Sequence, residues 1–211
     1  MRKREIGIVL SCEHAGHRVP AAYRALFRGH TAVLKSHRGW DPGALDLART
    51  TARACFAPLL ANTTSRLVVE CNRSIGSREL FSEFTRDLDT ADHMRILASI
   101  YHPHRRAVDV TVRRALRWHK RVVHVGVHTF TPVLNGKRRR ADVGLLYDPR
   151  RRFEVQVADI LTKRLRVEWP KLRVRRNYPY RGWTDGLTTT LRGRFPTARY
   201  AGIEIEVNQA L

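Results

Sequence analysis

Two rhythms of apolar positions alternate along the chain. Short apolar or alternating runs occupy residues 6–11 (IGIVLS), 65–71 (SRLVVEC), 121–128 (RVVHVGVH), 143–147 (VGLLY) and 202–207 (GIEIEV), with a weaker one at 172–176. Each has the length of a strand, and a short continuous apolar run fits a strand buried in a parallel sheet. Between these runs the apolar residues recur at helical spacing. Residues 42–60 carry Leu45, Leu47, Ala48, Ala52, Phe56 and Leu59 in such a row. Asp41-Pro42 ahead of them predicts an N-cap followed by proline at the first helical position. Residues 87–118 predict a long helix that Pro103 must interrupt, because proline lacks the N–H and clashes with the preceding turn. The second half of that stretch sets Val108, Val112, Ala115 and Leu116 on one face. Residues 153–167 predict another helix, and 185–192 the start of one more. Asn135-Gly136 marks a turn, with a basic loop at 137–140 behind it. Strands alternating with helices predict an α/β sandwich with a mainly parallel sheet, in a single domain spanning 1–211.

Composition narrows the class. Apolar residues make up 43% of 211, which suits a globular chain with one good core. The longest apolar runs fall far short of the roughly 20 residues a membrane helix needs. The basic lead-in MRKR is followed by only a five-residue apolar run and then the polar SCEH, so it reads as a first buried strand and not as a signal peptide. Three cysteines, Cys12, Cys55 and Cys71, form neither a disulfide framework nor a CxxC metal pattern. Free thiols of this kind suit a reducing cytoplasm. Leu211 follows the last strand closely, so no helix is expected after it.

Charge changes the picture more. The formal net charge is +21, from 40 basic and 19 acidic residues. Such a field attracts nucleic acid, acidic membranes and small anions alike. The arginines are spread along the chain, and the densest cluster, residues 137–140, has no aromatic for base stacking. The favoured reading is a solvated basic surface; steering of a small anionic substrate comes next, and nucleic-acid binding is the least favoured.

In open α/β sheets ligands bind beyond the carboxyl ends of the strands. There this sequence places Glu13-His14 after the first strand, Asn72-Arg73-Ser74 after the second and His128-Thr129 after the third, with Glu204 and Glu206 in the last. Two histidines from different strands, joined by an acid, leave a coordination position open and so describe a catalytic metal centre. A nearby glutamate can move the water's proton. Asn72 and Arg73 suit a substrate carboxylate, because guanidinium offers a planar fork. Residues 177–192 (NYPYRGWTDGLTTTLR) lack core periodicity and read as a functional loop, with Arg181 and Arg192 available for a second carboxylate.

With those residues in view, the chain resembles the N-formylglutamate amidohydrolase family. The matching stretches are SCEHAGHRVP (11–20), GWDPGALDLA (39–48), VVECNRS (68–74), YHPHR (101–105), 127–149, 177–192 and GIEIEVNQ (202–209), in order along nearly the whole chain. The resemblance implies a three-layer, zinc-exopeptidase-like sandwich with helices on both faces of a mixed sheet. It implies hydrolysis of N-formyl-L-glutamate to formate and glutamate. It matches His14 and His128 to metal ligands, with Asp41 as the carboxylate ligand and Glu13 its competitor, since the position three after His14 is His17. It matches Glu206 to the general base, with Glu204 as competitor, and Asn72, Arg73, Arg181 and Arg192 to substrate binding. Two imidazoles and a carboxylate suit one divalent metal, zinc above others. Three rivals remain: a metal amidase on another N-acyl amino acid or peptide, a basic nucleic-acid-binding protein, and a cysteine hydrolase using Cys12 or Cys71.

Overall fold

The computed structural model describes residues 4–211, so the first three residues of the basic lead-in lie outside it. Strand β1 (Arg4–Cys12) leads through a 3-10 turn (Ala21–Phe27) to α1 (Thr31–Lys35), α2 (Ala44–Ala54) and β2 (Leu59–Ala61). A long loop then reaches α3 (Thr90–Ile96), a π turn (Leu97–Tyr101) and α4 (His102–Trp118). After it come β3 (His119–Phe130), β4 (Val133–Leu134), β5 (Lys137–Arg138), β6 (Val143–Leu146) and α5 (Arg152–Glu168). The last elements are β7 (Val174–Arg176), α6 (Leu187–Arg192) and β8 (Tyr200–Asn208).

Six strands form one mixed sheet in the order β2-β1-β3-β8-β6-β7. The first four are parallel, while β6 runs antiparallel to β8 and carries β7 with it. Alternation along the strands divides the burial between two faces. Leu10, Val123, Val125 and Ile203 pack against Ala44 and Ala48 of α2 and Phe153 and Ala158 of α5. Val9, Val122 and Tyr200 face the other way, against Val108, Val112 and Leu116 of α4 and Leu187 and Leu191 of α6. Helix, sheet and helix thus make the three layers.

Three sequence expectations are corrected. Residues 65–71 form a buried turn and not a strand: Leu67, Val68, Val69 and Cys71 are the floor of a second core, with Tyr23, Phe27, Ile96 and Tyr101. The strand beside β1 is β2 instead, placed after α2 stops at Ala54, short of the expected residue 60, and the chain turns at Phe56, whose φ is 49°. Asp41 does not cap α2. Gly43, with φ 81°, holds the cap position, and the Asp41 carboxylate is engaged elsewhere. Finally, Pro103 does not break its helix. The π turn widens the backbone just ahead of it, and α4 continues from α3 without a gap. The Asn135-Gly136 turn does form: φ values of 50° and 73° join β4 to β5 as a two-residue hairpin.

Candidate metal centre and active site

The face of the sheet under α4 and α6 carries the chemistry. On β3, His128 projects from it near the carboxyl end, and its register partner on β8 is Glu206. Two residues earlier, Gly126 is paired with Glu204. A Cβ at Gly126 would lie 3.3 Å from the Glu204 side chain and 3.5 Å from His128 Nε2, so the missing side chain makes room for both. His14 arrives from the loop after β1. Asp41 arrives from the segment before α2, where its N–H donates to the His14 carbonyl at 3.0 Å.

Three of these side chains meet. Asp41 Oδ2 lies 3.2 Å from His14 Nδ1 and 3.0 Å from His128 Nδ1. All three residues are buried, and their ligand atoms lie within 4.8 Å of one another. This group could hold a metal ion. The donor set passes the chemical test, since two imidazole nitrogens and one carboxylate oxygen suit a divalent cation of zinc type. An acid also stands beside each far nitrogen, bonded to it only at His14. His14 Nε2 meets Glu70 Oε1 at 2.5 Å, and Glu13 Oε2 lies 3.1 Å from His128 Nε2, off the hydrogen-bonding direction. Carboxylates placed behind metal-binding histidines fix ring orientation and tautomer.

Burial and charge oppose each other here. Burial would lower both histidine pKa values, yet the surrounding acids hold them raised: Glu70 and Asp41 for His14, Asp41 and Glu13 for His128. Burial would raise Asp41, Glu70 and Glu13, yet their cationic neighbours hold all three lowered. Glu206 differs. Burial pushes its carboxyl up to about 7; the nearby His128 opposes the rise, and the Asp41 and Glu204 carboxylates add to it. Its Oε2 is buried without a hydrogen-bond partner among the described residues. Glu204 is anchored instead, accepting from Thr188 Oγ1 at 2.8 Å.

These groups line a cleft of about 170 Å³. That is below the roughly 300–1,000 Å³ of drug-sized pockets and suits a small polar ligand. Asn72, Arg73 and Arg181 line it too. Asn72 Oδ1 accepts from the Leu187 N–H at 2.7 Å, which ties the loop around Asn72 to the start of α6. Arg73 donates to the Asp185 carbonyl at 2.8 Å and pairs with Glu79 at 2.7 Å. Arg181 stacks over Trp183 at 5.7 Å.

Arg192 stands apart from this group. Its guanidinium is buried, bonded to Glu154 at 2.9 Å and to the Gly182 and Gly202 carbonyls, and it ties α5, α6 and β8 together. It does not line the cleft, so the structure gives it a supporting place. Two lining residues escaped sequence reasoning: Glu70 and Arg66. Arg66 reaches Glu70 at 2.5 Å and Asp41 at 3.4 Å. The signal available was an acid inside an apolar run, two residues before Asn72.

The family model of N-formylglutamate amidohydrolase matches residues 6–211. The chain belongs to this family. Among solved structures it is similar to a gene product of Agrobacterium tumefaciens, with 33% identity and a TM-score of 0.82, covering 97% of this chain and 81% of that one. It is also similar to N-formylglutamate amidohydrolase from Ralstonia eutropha JMP134, with 20% identity and a TM-score of 0.74, covering 99% of this chain and 83% of that one. At that identity the second likeness is one of fold. No curated protein matches. Family membership makes the chain a hydrolase acting on amides. The cysteine rival fails on chemistry: Cys12 is fully buried and burial pushes its thiol up to about 12, while burial raises Cys71 as well. Neither can present a thiolate near neutral pH. No helix among the described residues is long and apolar enough to cross a membrane.

Proposed function

We propose that this chain is a metal-dependent amidohydrolase that converts N-formyl-L-glutamate and water to formate and glutamate. The observation that carries the reading is the convergence of two imidazole Nδ1 atoms on one Asp41 oxygen, beside a buried glutamate with an unpaired oxygen. A divalent cation held by His14, Asp41 and His128, zinc by its donor set, would supply positive charge that polarises the amide carbonyl and acidifies water.

The chain's own residues do the rest. Glu206 takes a proton from water at its free Oε2 while the water oxygen bonds to the formyl carbon. The C–N bond then breaks, and Glu206 returns the proton to the leaving amine. A carboxyl with a pKa near 7 is matched to both halves of that exchange. Asn72 and Arg73 hold the carboxylate next to the scissile amide, and Arg181 holds the side-chain carboxylate. The narrow cleft favours a one-carbon acyl group over larger ones. Free thiols fit a reducing cytoplasm as the working compartment.

The test is formate release from N-formyl-L-glutamate, with elemental analysis before and after chelation. About one metal per chain and activity lost on chelation are expected. Metal with turnover only on longer N-acyl amino acids would replace the substrate, and a chain that takes up no zinc would sink the mechanism.

A further inference from the structure

A second cavity, about 490 Å³, shares no lining residue with the cleft of about 170 Å³. It lies behind the carboxylate clamp, between α4, α6 and the loop that follows Arg73. Its size falls in the range of small-molecule sites. Leu187, Leu191 and Tyr101 supply apolar wall, and Arg105, Arg106 and Arg194 supply charge, with His102 beside them. The one acid in its lining, Asp109, is already satisfied. Arg113 takes Oδ2 at 2.8 Å, and Arg194 approaches Oδ1 at 3.3 Å. The Arg106 guanidinium has no partner among the described residues. Arg106 and Arg194 are exposed, as many of the chain's arginines are, but with Arg105 they lie together on one concave, partly apolar surface. They leave a net positive cavity with unused donors.

The cavity also touches the clamp mechanically. Arg105 donates to the Cys71 carbonyl at 2.9 Å and the Arg73 carbonyl at 3.1 Å, and to Thr190 Oγ1 of α6 at 2.5 Å. The backbone that presents Asn72 and Arg73 to the cleft is therefore held by a lining residue of the cavity behind it.

We propose that this cavity is a binding site for a small polyanion, a diphosphate or a polycarboxylate, engaged by Arg106 and Arg194 on the back of the substrate clamp. The chemistry is charge-assisted hydrogen bonding to paired anionic oxygens, which guanidinium forks favour. An occupant there bears on Arg105 and through it on the clamp. The site stands whether or not the amidohydrolase reading holds.

Calorimetric titration of the full chain with inorganic pyrophosphate tests it, at physiological ionic strength, where screening acts over about 8 Å. Citrate in a parallel titration separates phosphate from carboxylate as the source. Saturable binding of one anion per chain is expected, weakened about tenfold or more in the Arg106→Gln/Arg194→Gln double variant. The Arg164→Gln/Arg166→Gln variant removes the same charge from exposed positions on α5 and should bind as the parent does. Arg106→Gln alone breaks no contact in the fold and should still weaken binding, which guards against a folding defect in the double variant. Equal losses in both double variants would mean that the general field does the binding. That result, or binding without saturation, would overturn the site.

Discussion

At the scale of single residues, the two glutamates of β8 separate clearly. Glu204 and Glu206 share one strand face, and sequence spacing treats them alike. Their neighbours do not. Thr188 anchors Glu204, while Glu206 keeps a free oxygen and a pKa raised to about 7. Glu206→Gln should therefore retain metal and lose turnover by about 10²–10⁴-fold, the usual range for a general base. Glu204→Gln should cost much less. Metal content and formate release measured on both variants decide it, and the reverse order would move the base to Glu204. Similarly, Glu13 competed with Asp41 on paper as a metal ligand. The structure gives it a different position, between His128 and His104 and off the side where the Nδ1 atoms meet.

Elements show where local pattern misleads. Residues 65–71 carry the apolar content of a strand, yet their hydrophobic side chains serve a second core made with residues far along the chain. Periodicity reports burial and cannot report what does the burying. The 177–186 loop shows the converse. Its sequence lacks core periodicity and reads as a functional loop, yet it is pinned as a wall of the cleft. Asn177 Oδ1 accepts from the Tyr147 and Gly182 N–H groups at 3.0 and 3.1 Å. Gly144 of β6 lets the Tyr178 carbonyl close against the sheet, where a Cβ would come within 1.9 Å of it. Gly144→Ala should therefore push the loop outward and destabilise by roughly 1–3 kcal/mol, as overpacking does. The Michaelis constant should rise with it, since the same loop carries Arg181. A variant with unchanged melting temperature and kinetics would show that the loop is not a fixed wall.

For the whole molecule, the buried charge cluster sets how stability follows pH. His14 and His128 have raised pKa values in the metal-free chain. A group raised on folding stabilises fully below its unfolded pKa, about 6.5 for histidine, and that contribution is lost as pH climbs through the folded value. Asp41, Glu70 and Glu13 are lowered, so their contribution is present above the unfolded carboxyl range and fades as pH falls. The metal-free protein should thus lose melting temperature as pH rises beyond about 6.5. The zinc-loaded protein should not, because binding metal requires neutral imidazoles. Melting curves across pH, with and without chelator, check this; identical curves would show that the cluster and the metal do not share those histidines.

What the chain determined by itself was the class of fold, most of its strands and helices, and the residue types that gather at the site. These follow from local periodicity, from proline and glycine, and from the rule that sheet ligands gather at carboxyl ends. His14, Asp41, His128, Glu206, Asn72 and Arg73, picked out on local chemistry or by family resemblance, all line one cleft. Tertiary structure alone decided the partners. It assigned Glu70 to His14, Glu13 to His128, Arg66 to Asp41 and Glu70, and Arg192 to Glu154 and the carbonyls of Gly182 and Gly202. Those pairings join residues from a few to more than a hundred positions apart. Whether a carboxylate acts as ligand, brace or base depends on which buried neighbours it meets, and a one-dimensional pattern carries no record of that.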